Sequence, residues 1–417
     1  MLPLHIAVVV ATVTSPVRLA DLLDEARKNN PELLSAREQA NAAASSVAPA
    51  GALDDPMLMV QLWNGPVDFS TVPIMVQLSQ SLPLGGKRAA RRDAASGEAA
   101  AARANALSKL RDIEAAVGKA YFDLYLADRT QEADEEIEGT LRSLIAAASA
   151  RIAAGKGEQA EALRAQSELF KVQSDREAVG ARRVAANAKL VALLNRPPGS
   201  EIGKTTEPGI LDVLPDEAPL RDRALGERPE VAAAAGMVAQ TEAKLRLARA
   251  ERVPDINVFV GEMHSFRMPG VSDFLFVGIQ GNLPIWGSSK TGPRIAAATA
   301  QLSAAQADAK ALENRIVSEV ADAYAELRAE RRQVELHHQL IPVARQALAS
   351  ASAAYASGKG NFLMVLDSER DLLMHELDLA THLVMYERYL AELQRVAGVD
   401  LGLANAAESG IRERHQP

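Results

Sequence analysis

One tripeptide occurs twice in this chain. Gly155, Lys156 and Gly157 interrupt an alanine-rich stretch, and Gly358, Lys359 and Gly360 repeat the interruption 203 residues later. The same shift carries Tyr121 onto Tyr324, Leu124 onto Leu327, Leu163 onto Leu366 and Leu169 onto Leu372. Each tripeptide closes a long run that alanine favours as helix, from Gly86 to Ala154 and from about Ser288 to Ser357; the second run holds Pro293 near its start and Pro342 in its interior. A helix of roughly 70 residues is a rod on the order of 100 Å long. The glycines then reverse the chain into a return helix, which ends at a turn near Asn195 in the first half and near Gly398 in the second. No ordinary globular domain needs helices of that length.

Ahead of each long hairpin the pattern changes to alternation. Leu58, Val60 and Leu62 share one face of a predicted strand, as do Ile74, Val76 and Leu78, with Gln77 and Ser79 on the other. This predicts a β-hairpin over about 57–80, and a second over about 255–283 repeats the design. The phrases SLPLGG (81–86) and NLPIWG (282–287) lead from each strand pair into its helix. The expected order is therefore a possible export-signal remnant (1–16), a first repeat (17–200), a linker (201–218), a second repeat (219–398) and a polar tail (399–417). Within the repeats, a helix from about Leu19 to Ala48 is broken near Pro31, and another runs from about Leu220 to Arg252.

Seven of the 16 aromatic residues fall in the two strand regions: Trp63, Phe69, Phe259, Phe266, Phe274, Phe276 and Trp286. Placed at strand ends, they suit a membrane interface. Four strands cannot close a barrel, and an open edge in lipid leaves backbone groups unpaired at several kcal/mol each. Transmembrane strands would therefore require an oligomer, and on this ground two, three or four copies serve equally.

A net charge of −8 over 417 residues gives no basic excess for nucleic acid. Without cysteine there is no disulfide and no thiolate site. No catalytic or nucleotide-binding motif is present, so neither an enzyme nor a cofactor is expected. Lys87, Arg88, Arg91 and Arg92 form a basic cluster that suits a solvated helix start or pairing with acids or lipid headgroups. His375, Asp378 and His382 share a helix face, but the outer two stand two turns apart, and adjacent His337 and His338 point in different directions. No metal site is assigned.

The opening LLDEARKNNPEL (22–33), the spacing of Tyr355 and Gly358 before VLDSERDLL (365–373), its weaker partner around Gly155, and the 203-residue repeat together resemble the TolC-like outer-membrane efflux family over nearly the whole chain. QSLPLGGKRAARR (80–92) is similar to the CzcC/CusC-like heavy-metal branch. The resemblance implies a mainly α fold with a small transmembrane β part: long helical hairpins form an α-barrel tunnel joined to a 12-stranded β-barrel, shared by a homotrimer in outer-membrane lipid. It implies a passive exit duct, served by a periplasmic adaptor and an inner-membrane pump of the resistance-nodulation-division (RND) type, for metal cations or drugs. A periplasmic coiled-coil adaptor or scaffold, and within the family a protein-secretion duct, are the alternatives.

The Gly-Lys-Gly turns (Gly155, Lys156, Gly157, Gly358, Lys359 and Gly360) then become the adaptor-docking rim. The resemblance also points to Glu161, Tyr355 and Asp367 as a periplasmic gate, each acid forming a ring in the trimer. The chain departs from the family at Met364, where another acid can occur, at Arg164, the repeat mate of Asp367, and at Gly360, where the best-known member has a gating arginine.

Overall fold

The computed structural model describes residues 16–62, 73–155, 158–211, 213–264, 273–283, 285–357 and 359–398. The elements run α1 (Leu19–Asn29), α2 (Pro31–Ala50), β1 (Met57–Leu62), β2 (Ile74–Leu82), α3 (Lys87–Ala153), α4 (Gln159–Leu193), α5 (Glu217–Glu227), α6 (Pro229–Ala250), β3 (Ile256–His264), β4 (Phe274–Gly281), α7 (Gly292–Ala356) and α8 (Phe362–Ala397). Two long helical hairpins, α3–α4 and α7–α8, thus follow two strand pairs in the expected order. A π-helical turn, Gly287–Thr291, leads into α7, which carries Pro342 without a break.

The expected single helix over 220–252 is two helices, and Arg228 is the break. A residue before proline is pushed out of the helical region, and Arg228 is extended (φ −67°, ψ 130°) while Pro229 opens α6, where its missing N–H costs nothing. Asn30 before Pro31 does the same between α1 and α2, and its Oδ1 accepts the amides of Glu32 and Leu33 at 2.9 and 3.1 Å to cap α2.

The chain forms two compact units. One holds Met1–Leu34, Lys109–Arg228 and Ile316–Pro417; the other holds Ser35–Ser108 and Pro229–Arg315. The core of the first gathers Leu22, Leu33, Val117, Tyr121, Leu124, Leu190 and Val384. The Tyr121 hydroxyl donates to the Val17 carbonyl and accepts the Thr206 amide, both at 2.8 Å, so one phenol pins the chain start and the linker to the same helix. Arg196 grips Glu25 through two bonds of 2.7 and 2.6 Å, tying the end of α4 to α1.

In the second unit the strands make one antiparallel sheet in the order β1-β2-β3-β4, so the two repeats meet where β2 pairs with β3. Residues paired across the sheet share a face: Leu58, Leu78, Val260 and Val277 form one row, and Val60 and Val76 with Leu275 form much of the next. These aliphatic side chains are exposed, Leu275 and Val277 by more than 70%. Glu262 and His264 bring polar groups to this face at the far end of β3.

The opposite face carries Gln77, Ser79, Asn257 and Gln280. It also carries Phe259 and Phe276, which corrects the expectation that they sit at strand ends. Phe259 pairs with Gly278 and Phe276 with Gly261, each ring lying over the glycine opposite, and the two rings meet edge-on at 6.2 Å. Phe274 does stand at a strand start, and Trp286 is exposed beside the π-turn, whereas Trp63, Phe69 and Phe266 lie outside the described residues.

Gly85 and Gly86 have φ of 70° and 78°, the left-handed conformation that turns β2 into α3. Lys87, of the basic cluster, is buried rather than solvated: its Nζ donates to Asp255 at 2.6 Å and to the Val253 carbonyl at 2.7 Å, strapping the start of α3 to β3.

Candidate functional site

The two Gly-Lys-Gly turns reverse the chain by different means. After α3, Gly155 is left-handed (φ 71°) and its amide bonds the Ile152 carbonyl at 2.9 Å. After α7, the amides of Lys359 and Gly360 both donate to the Ala354 carbonyl, at 3.0 and 2.9 Å. A Cβ on Gly360 would lie 2.7 Å from the Tyr355 amide nitrogen, so glycine is needed there for close backbone approach. Asn361 then caps α8 by accepting the Leu363 amide at 3.1 Å, whereas its repeat mate Glu158 makes no capping bond to α4. Lys156, Gly157 and Gly358 lie outside the described residues.

Behind these turns Leu141, Ala165, Val172, Phe362 and Leu366 form a small core that joins the two hairpins. Tyr355 packs against it, edge-on to Phe362 at 6.1 Å, with the Arg151 guanidinium 4.8 Å from its ring centre. Its hydroxyl is buried and has no hydrogen-bond partner among the described residues, and the same holds for Oε2 of half-buried Glu161. An unpaired buried polar group costs about 1–3 kcal/mol, which a partner that arrives later would relieve. Asp367 is exposed. No hydrogen bond joins Glu161, Tyr355 and Asp367 to one another among the described residues, although all three stand within two turns of a hairpin end.

Apart from Asp378, the sequence reading missed the carboxylates deeper in the same end. A cavity of about 530 Å³ between α3, α4 and α8 is lined by six of them, Asp134, Glu168, Asp175, Glu369, Asp371 and Asp378, against the cations Lys171 and Arg370. Burial, with the charge of Asp175 beside it, raises the pKa of Asp134. The signal lay next to Asp367, since Glu369 and Asp371 follow it on α8. Among the described residues no helix is long and apolar enough to cross a membrane.

A family model described as outer membrane efflux protein matches residues 22–196 and 220–399. The chain belongs to the outer membrane efflux protein family. It is an exit duct of the outer membrane, and not an enzyme. Among curated relatives, the cobalt-zinc-cadmium resistance protein CzcC of Cupriavidus metallidurans is 26% identical over 366 residues, covering 86% of this chain and 84% of that one. The solved outer-membrane channel OprN superposes with a TM-score of 0.80 at 19% identity, over 92% of this chain and 90% of its own. CusC gives a TM-score of 0.78 at 18% identity, over 93% and 96%. For an efflux protein of this family, the exposed aliphatic face of the sheet is the surface that an outer-membrane location requires.

Proposed function

We propose that three copies of this chain close a 12-stranded barrel and a helical tunnel, forming the exit duct of a tripartite system for metal cations. The observation that carries this reading is the sheet, whose aliphatic face is exposed and whose edge strands β1 and β4 have no pairing partner beyond them among the described residues. In lipid those edges must be paired, and further copies of the chain supply the strands. An inner-membrane pump of the RND type drives the cargo, and a periplasmic adaptor links pump to duct by docking on the rim of Gly155, Lys156, Gly157, Gly358, Lys359 and Gly360.

The likeness to CzcC, a protein named for resistance to cobalt, zinc and cadmium, supports the choice of cargo. So does the excess of carboxylates at the hairpin end, because rings of acidic side chains concentrate cations. Glu161 and Asp367 supply two such rings in the trimer. Tyr355 closes the gate with them, packed at the hairpin end against Phe362 and Arg151.

Reconstitution in planar bilayers tests the reading. The wild-type duct is expected to prefer cations, and Asp367→Asn combined with Glu161→Gln is expected to lower that preference several-fold. Unchanged conductance and selectivity in the double variant would remove both acids from the gate.

A further inference from the structure

We infer that His337, His375 and Asp378 form a binding site for a divalent transition-metal ion within the wall of the duct itself, between α7 and α8. One donor atom from each of the three lies within 4.8 Å of the others. Around a zinc-sized ion with bonds of 2.0–2.1 Å, tetrahedral donors stand about 3.4 Å apart, so side-chain rotations of about 1–1.5 Å complete the site.

Two further observations point to a ligand. His337 is more than nine-tenths buried, and its Nδ1 has no hydrogen-bond partner among the described residues; the same is true of Nδ1 of His375. A buried ring nitrogen left unpaired is unfavourable, and an ion removes that cost for both histidines at once. In addition, the ring of His382 lies 5.1 Å from that of His337, and its Nδ1 bonds Glu330 at 2.7 Å. A carboxylate on one imidazole nitrogen fixes the ring, so His382 stands as an ordered neighbour of the three ligands rather than one of them.

Imidazole with carboxylate suits zinc, cobalt or nickel, not calcium or magnesium, which take oxygen ligands. Asp378 also lines the acidic cavity beside the site, which gives cations an electrostatic approach to it. The site belongs to this chain whatever cargo passes through the trimer, so it does not depend on the proposed cargo.

Full-length, untagged protein in detergent, stripped with a chelator, is titrated with Co²⁺ by absorption and with Zn²⁺ by calorimetry. One ion per chain is expected, with His337→Gln, His375→Gln and Asp378→Asn each weakening binding at least tenfold and His338→Gln leaving it unchanged. Zn²⁺ is also expected to raise the unfolding temperature of the wild type and of the His338→Gln variant only, by mass action. Half-buried His375 carries the test if the His337 variant does not assemble. No saturable binding, or binding of equal affinity in the His375→Gln and Asp378→Asn variants, would overturn the site. Loss of binding in those variants while His338→Gln still binds would establish it.

Discussion

Glu387 shows how far a side chain's surroundings can depart from its chemistry. It is 1% exposed on α8, and burial raises its pKa from 4.5 to about 8, so at neutral pH the folded protein holds it as the neutral acid. Its Oε2 has no partner among the described residues. The folded pKa lies above the unfolded one. The resulting stabilisation is therefore complete below about pH 4.5 and is lost as pH rises through about 8, because the native state holds a proton that the unfolded chain has released. Glu387→Gln is expected to unfold several degrees above the wild type at pH 9 and close to it at pH 5, measured by thermal unfolding in detergent. Parallel pH profiles would mean that the carboxyl ionises freely. None of this is legible in the sequence, where Glu387 is one more acid on a charged helix and its burial depends on which helices pack around it.

At the scale of elements, glycines inside long helices separate local from tertiary demands. Gly97 and Gly139 both interrupt α3, and helix propensity alone makes each about 1 kcal/mol worse than alanine. A Cβ on Gly97 would lie 2.6 Å from the Gln240 amide nitrogen, and one on Gly236 would lie 2.8 Å from the Ala101 amide nitrogen, so α3 and α6 cross backbone to backbone at this pair. Gly139 has nothing within 4 Å. Gly97→Ala is therefore expected to lower stability, since overpacking costs about 1–3 kcal/mol, while Gly139→Ala raises it by up to about 1 kcal/mol. Denaturant unfolding of the two variants should show opposite signs, and stabilisation by both would mean that the crossing is looser than described. Long alanine runs, glycine turns and alternating aliphatics are local signals, which is why the hairpins, the strand pairs and the turns at Gly155, Asn195 and Gly398 could be read from the chain. The break at Arg228 is also local, set by the proline that follows it. Two features depend on partners far along the chain and left no such mark: the rings of Phe259 and Phe276 over opposite glycines, and the meeting of His337 with His375.

For the whole molecule the decisive question is what pairs with the outer strands. In the order β1-β2-β3-β4, strands β1 and β4 lie three spacings apart, about 14 Å. A disulfide spans at most about 7 Å between Cα atoms, so cysteines on β1 and β4 of one chain cannot join across that sheet. In a closed ring of copies, β1 of one chain runs beside β4 of the next, and the same cysteines come within reach. The protein has no cysteine of its own, so introduced pairs report without background. Val60→Cys is combined in turn with Leu275→Cys, Val277→Cys and Ile279→Cys, which samples the register along β4. After mild oxidation in outer-membrane fractions, at least one pair is expected to run as covalent dimer and trimer on a denaturing, non-reducing gel and to collapse to monomer on reduction. A ladder that ends at three fixes the copy number that strand counting leaves open. One that stops at two or continues to four replaces the trimer with that assembly. No cross-link from any of the three pairs would mean that the edges do not meet, and barrel closure by shared strands would fall.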